Sequence, residues 1–272
     1  MVGTAGHLWT APIPAGNLGR MTLGHWLADG AFNAPLPFVA GATILWFLAI
    51  YALIAGGAYA LAIDHLAGTV EKKAGRTQRM RNGQVREELL LSALSILVFA
   101  LQATLLVWML RKGWLSIGWD RSLWHLAWEL PILYFWNELH FFAVHRLLHW
   151  GPLYRGVHIW HHRSVLTTPF SAYSFHPLES FLLGAVMPLA LVFHAFGPWS
   201  LLGLTVMSLL LNVNGHLPHE RLRRSWAFAV AHSRYHNEHH RQFSTHFGFS
   251  FAPLDTWFGG NPRSAPDAGP QR

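Results

Sequence analysis

Long uncharged runs separated by short polar connectors dominate the chain. Residues 38–63 and 89–110 hold no charged side chain. Each is long enough to cross a hydrocarbon layer as a helix, which takes about 20 residues. A third run, 123–144, is interrupted by His125, Glu129, Pro131, Asn137, Glu138 and His140. Ionisable groups at such depth are costly and turn toward a protein interior or a site. Residues 181–214 are apolar throughout, but as one helix they would rise about 50 Å, too far for a single crossing. Gly197-Pro198 breaks that run, so the pattern predicts a hairpin of two short helices that returns the chain to the side it left. The expected fold is all-α: a multi-pass transmembrane helical bundle with a cytoplasmic, histidine-rich helical cap.

The connectors set the expected orientation. The loop after the first run carries Lys72, Lys73, Arg76, Arg79, Arg81 and Arg86, which the positive-inside rule places in the cytoplasm. The third run then delivers its C-terminal end to that same side, and the N-terminus lies outside. Residues 1–260 are expected to form a single membrane-embedded domain with a histidine-rich core at 138–260. Residues 261–272, with three prolines and no apolar periodicity, are expected to be a disordered tail. No removable signal peptide is expected, because no basic patch precedes a short apolar run and a small-residue cleavage site. Arginine outnumbers lysine and alanine and glycine are frequent, a bias toward a GC-rich bacterial genome and hence an inner membrane.

Composition narrows the chemistry. Only 12% of the 272 residues are charged and 52% are hydrophobic, where a soluble domain devotes about a quarter to charge, so the water-facing surface is small. A net charge of +7 is compatible with a nucleic-acid partner, yet the cations sit in connectors rather than along one face, and none is expected. The absence of cysteine excludes disulfides, iron–sulfur clusters and thiolate zinc sites. Any bound metal must be held by nitrogen and oxygen.

Of the 19 histidines, 15 fall between His140 and His246, and they are grouped. His145 and His149 stand at i, i+4, one turn apart on a helical face. His158, His161 and His162 follow at i, i+3, i+4, and His236, His239 and His240 repeat that spacing. Adjacent histidines differ by about 100° around a helix, so each three-histidine box can face two ions at once. His216 and His219, where the hairpin returns, add one or two more candidates. About ten imidazoles exceed the three or four protein ligands of one zinc ion, and magnesium or calcium would need carboxylates that are scarce here. Tyr154, Trp160, Phe243 and Phe249 interleave the boxes, unlike a passive histidine tract. His125 and His194, alone in apolar runs, are assigned no role.

These motifs resemble the fatty acid hydroxylase and sterol desaturase superfamily of integral-membrane enzymes. His145-Arg146-Leu-Leu-His149 is similar to its first box and His158-Ile-Trp-His161-His162 to its second. His176-Pro177-Leu-Glu179, Gly215-His216 and His236-Asn-Glu-His239-His240 follow in family order, and Phe247-Gly248 with Asp255-Thr-Trp-Phe258-Gly259 looks like its ending. Glu138 and Phe142 stand where members often carry Asp and Tyr, Phe247 replaces a tyrosine, and His219 replaces an aromatic residue.

The resemblance implies two iron ions held by His145, His149, His158, His161, His162, His216, His236, His239 and His240, with His219 as a tenth ligand. It implies dioxygen as co-substrate and hydroxylation or desaturation of a C–H bond in a fatty acyl chain, sterol or polar lipid. No cytochrome b5 domain is visible, so electrons are expected from a separate ferredoxin or cytochrome b5-type protein. Metal-bound histidines are usually oriented through their second ring nitrogen, a role that Glu138, Glu179, Glu220 and Glu238 are placed to fill. His176 and His232 are expected beside them, or as ligands in place of His219. Two alternatives stand further off. A zinc-dependent membrane hydrolase would want a pattern such as His-Glu-x-x-His, which is absent, and a non-catalytic haem- or metal-binding protein would want single histidines on facing helices.

Overall fold

The structure, a computed structural model, describes residues 30, 33–61, 71–73, 76–78, 80–217 and 227–258. The predicted tail, His219 and Glu220 lie outside these residues, and His232 is placed by its backbone alone. Helix α1 (Leu36–Leu61) contains one wide turn at Ala52–Gly56, and α2 (Gln84–Arg111) runs back beside it. Between them lies a short antiparallel ribbon, β1 (Glu71–Lys73) with β2 (Arg76–Gln78). It is the one departure from helix among the described elements of regular structure. Glu71, Lys72 and Lys73 follow no apolar alternation, so the sequence pattern carries no strand signal there.

Helix α3 (Leu123–Leu148) keeps Pro131 in its interior and ends at His149, just before Gly151-Pro152. A helical run then continues as Gly151–Leu153, a wide turn Tyr154–His158 and Ile159–His162, together called α4. A tight turn at Pro169–Tyr173 leads to α5 (Pro177–Gly184) and α6 (Val186–Phe193). The chain is extended at His194, and α7 (Pro198–Gly215) returns with Pro198 in its first turn, where a missing N–H costs nothing. This is the predicted hairpin, its first arm divided in two. Helices α8 (Ala227–Gln242) and α9 (Pro253–Phe258) complete the described chain.

Helices α1 and α2 are each long and apolar enough to cross a membrane, while the joined α5 and α6 are apolar but shorter. Leu45, Leu53, Leu61, Leu97 and Leu101 point outward. Such exposure is a liability in water and matches a lipid surroundings. The third predicted run is a helix of 26 residues, but its buried Glu129, Asn137 and Glu138 face the protein rather than lipid.

Two polar devices hold the helices in register. On α2, Gln84, Glu88, Ser92 and Ser95 form a stripe at helical spacing that grips the segment 164–173. Glu88 accepts from Ser164 (2.7 Å), Ser171 (2.8 Å) and Thr168, and Ser95 donates to the Tyr173 carbonyl at 2.7 Å. Thr168 and Ser171 also cap the turn reciprocally. At the opposite end, the buried Glu129 of α3 accepts from the Gly197 N–H at 2.9 Å and lies 3.8 Å from Arg121. A side chain at Gly197 would meet the Arg121 Cβ at 2.8 Å, so only glycine lets the hairpin turn approach so closely.

The apolar core follows the same division. One cluster, including Tyr51, Ile96, Tyr173, Leu209 and Val213, lies toward the histidine-bearing end. A second, including Leu106, Leu133, Leu191, Leu201 and Leu204, lies toward the other. Between α1, α2, α3, α5 and α7 runs a cavity of about 660 Å³ lined chiefly by apolar side chains. Its wall follows α7 from Pro198 to Asn212, a rise of about 21 Å.

Candidate metal centre

Nine histidines converge on one buried volume. His145 and His149 arrive from the end of α3, His158, His161 and His162 from α4, His216 from the cap of α7, and His236, His239 and His240 from α8. Their nitrogens form two groups: His145, His149, His158, His162 and His239 in one, and His161, His216, His236 and His240 in the other. Within each group the available ligand atoms lie within 4.8 Å of one another. All are buried except His149, which is half-buried. Each three-histidine box divides between the groups. His161 and His162 point about 100° apart around their helix, as do His239 and His240.

Hydrogen bonds fix which nitrogen carries the proton in four of the rings. The Nδ1 atoms of His145, His161, His216 and His239 meet the carbonyls of Phe247 (2.8 Å), Ser174 (3.3 Å), Asn212 (2.7 Å) and Thr245 (2.6 Å). A carbonyl can only accept, so these nitrogens donate, and in a neutral ring Nε2 is left with a lone pair. Yet the Nε2 atoms of His161 and His216 face each other at 3.4 Å, and His239 Nε2 lies 3.1 Å from His149 Nε2 and 3.2 Å from His162 Nε2. For His161 and His216 no proton is left to share between the two lone pairs. Converging, unprotonated imidazole nitrogens fit a cation, and an all-nitrogen donor set suits late first-row metal ions such as iron, copper and zinc. Nine donors in two groups fit a pair of ions better than one.

The rings are held by a scaffold that only partly matches the predicted one. Glu179 accepts from His158 Nδ1 at 2.8 Å, the carboxylate partner that metal-bound histidines commonly have. Among the described residues it is the one carboxylate bonded to a grouped histidine. Glu138 acts at one remove: it accepts from the N–H of Ser250 (2.8 Å) and Phe251 (2.7 Å) and from the Ser250 hydroxyl (2.7 Å). It thereby fixes the loop that supplies the Thr245 and Phe247 carbonyls. Asp255 grips the same loop, accepting from the N–H of Phe247 (2.9 Å) and Gly248 (2.6 Å) and from Tyr235. The loop is under backbone strain, with Phe243 and His246 at positive φ. Sequence reasoning assigned Asp255 no such role, although the family-like ending contains it, and backbone carbonyls carry no sequence signal at all.

Two expected partners are corrected. Among the described residues His176 is not in either histidine group. Its Nδ1 accepts from the Leu178 N–H at 3.1 Å as the N-cap of α5, and its ring packs edge-on against Trp160. Glu238 faces Gln242 and Arg241 on its own helix and bonds none of the grouped histidines.

A water-sized void of about 10 Å³ opens between the groups, bordered by His145 and His158 from one, His161 and His236 from the other, and Glu179. Phe141, Phe175, Leu183 and Asn212 line both this void and the large cavity. The apolar chamber therefore ends at the histidine wall.

Burial holds the imidazoles of His158, His161, His162, His236, His239 and His240, all outside the membrane-length helices, well below their ordinary pKa, and the charge of neighbouring imidazoles adds to the effect. In the unfolded chain they titrate near pH 6.5. Below that pH the unfolded state takes up protons that the folded state refuses, so stability falls as pH falls. Each such histidine contributes up to about 1.4 kcal/mol per pH unit. Metal-stripped protein in detergent is therefore expected to lose thermal stability steeply from about pH 6.5 to 5. A melting profile flat across that window would contradict the buried neutral cluster.

Residues 130–260 match the fatty acid hydroxylase family. The chain is similar to a Delta(7)-sterol 5(6)-desaturase of Saccharomyces cerevisiae, 29% identical over 137 residues, or 49% of this chain and 36% of that protein. It is similar also to a lathosterol oxidase of Rattus norvegicus, 27% identical over 134 residues, or 48% of this chain and 44% of that protein. The chain thus spans less than half the length of these relatives. No solved structure matches it.

Proposed function

We propose, from the premise that residues 130–260 belong to the fatty acid hydroxylase and sterol desaturase superfamily, that the chain is a membrane oxidoreductase. Its two histidine groups hold a pair of iron ions, and it uses dioxygen to hydroxylate or desaturate a C–H bond of a lipid. The observation that carries this reading is the meeting of unprotonated Nε2 atoms, 3.4 Å apart for His161 and His216, in two adjoining groups. Bound there, a pair of iron ions supplies the redox chemistry by which dioxygen oxidises an unactivated C–H bond.

The chain's own residues do the positioning. Glu179 fixes the ring of His158, and the carbonyls of Phe247, Ser174, Asn212 and Thr245 fix four more. The Phe141 and Phe175 rings line both the chamber and the void beside the histidines and give that junction an apolar lining. A chamber of about 660 Å³ lies in the range of small-molecule sites, and its apolar lining suits an acyl chain or a sterol.

Residues 1–260 act as one membrane-embedded, multi-pass unit. The cations between α1 and α2 support a cytoplasmic histidine face and an external N-terminus, in a bacterial inner membrane. Electrons come from a separate ferredoxin or cytochrome b5-type protein.

Purified protein is expected to carry two irons per chain. Aerobic cells expressing it are expected to contain a lipid with one added oxygen atom or two fewer hydrogens than in vector controls, read by mass spectrometry. One zinc per chain with no oxygen consumption, or an unchanged lipid profile, would overturn the assignment.

A further inference from the structure

We infer that the chamber recognises its occupant through a hydroxyl or carbonyl group held near the histidine wall by Asn137 and Tyr173, so that the carbon attacked lies close to that polar group rather than far along the apolar body. The inference rests on the lipid-oxidising reading above and narrows its substrate to an oxygen-bearing one.

Most polar side chains lining the chamber are already occupied by the protein. Thr43 donates to the Val39 carbonyl at 2.8 Å, and Thr205 donates to the Leu202 carbonyl at 2.8 Å while accepting from Trp46 at 3.3 Å. Gln102 donates to the Phe181 carbonyl at 2.8 Å, leaving its buried Oε1 without a partner, and Asn212 donates to the Ser208 carbonyl at 3.0 Å. Asn137 and Tyr173, nearer the histidine wall, have no side-chain polar atom engaged at all. Each is only 5% exposed and each lines the chamber. Neither the Asn137 carboxamide nor the Tyr173 hydroxyl has a hydrogen-bond partner among the described residues. A buried polar group without a partner is costly, and a carboxamide on an interior helix face is unexpected unless something bound there completes it.

Their place in the fold gives the orientation. Asn137, Phe141 and His145 stand on successive turns of one face of α3, and Phe141 borders both the chamber and the void beside the histidines. Tyr173 lies two residues before Phe175, whose ring centroid is 5.0 Å from that of His161. The opposite end of the chamber, lined by Ile117, Trp119 and Pro198, is apolar. An elongated molecule with one polar group therefore seats that group toward the metal-binding end and its body away from it.

The test is a binding measurement that needs no turnover. Full-length protein as purified, in lipid nanodiscs kept anaerobic, is titrated with two matched pairs, hexadecanol against hexadecane and cholestanol against cholestane. Quenching of Trp46 and Trp119, which line the chamber, reports occupancy. In the unaltered protein the alcohol of at least one pair is expected to bind roughly three- to tenfold tighter than its hydrocarbon, the effect of one hydrogen bond. The responding pair tells a linear body from a sterol. Asn137→Leu and Tyr173→Phe are each expected to shrink that ratio while hydrocarbon binding persists. Tyr173→Phe removes a single oxygen atom, so the test survives if Asn137→Leu does not fold. Equal binding of alcohol and hydrocarbon in both pairs, or a preference that both variants retain, would overturn the inference. Because the readout is occupancy, it can succeed even if the oxidase assignment fails.

Discussion

His161→Ala is expected to abolish lipid oxidation and to lower bound metal from two ions per chain to about one. His161 belongs to the group of four with His216, His236 and His240. A tetrahedral-type site relies on about four donors, so removing one leaves three imidazoles and an open side. The ring is also buried and faces His216 across 3.4 Å, so no other side chain can swing in without moving α4. The other group keeps all five of its histidines and should keep its ion. Loss of both ions in a folded protein would mean that the groups fill cooperatively. Retention of both, with full lipid product, would show that the histidines are not ligands. Metal content by mass spectrometry, alongside the thermal midpoint to prove folding, decides between these results.

The second large effect is expected at Asp255, which touches none of the nine histidines. Asp255→Ala would leave the N–H groups of Phe247 and Gly248 and the Tyr235 hydroxyl without their acceptor. Each abandoned buried donor costs about 1 to 3 kcal/mol. A total of about 3 kcal/mol or more follows, roughly a 10 °C fall in thermal midpoint for a chain of this size. The loop then releases the Phe247 carbonyl from His145 and the Thr245 carbonyl from His239, both in the group of five. Metal should therefore be lost from that group first. Tyr235→Phe, which removes one of the three bonds, should do the same more weakly. An Asp255→Ala protein that melts with the parent would show that the loop is held by other means.

Periodicity and spacing made the helices and the histidine boxes legible. The uncharged runs appear as α1 and α2, and the Gly197-Pro198 break falls where α6 gives way to α7. Spacing alone also pointed to each box serving two ions, because angular separation along a helix is fixed by its geometry. What stayed hidden depends on groups that identity does not encode. The acceptors for four histidine rings are backbone carbonyls, available at any residue. The stripe of Gln84, Glu88, Ser92 and Ser95 reads as the polar start of an apolar helix, and its purpose emerges only with segment 164–173 laid against it. His176 misled for the opposite reason. A histidine before proline and near other histidines suggests a ligand, while the local chemistry of a helix start uses it as a cap.

Helix α7 is anchored at both ends. Glu129 holds the backbone at Gly197, and at the far end Asn237 donates to the carbonyls of Gly215 and Leu217. Between those anchors stand 18 residues of helix, about 27 Å that cannot stretch. The wall that this helix gives the chamber, from Pro198 to Asn212, therefore keeps one length, a rigid ruler laid along the cavity.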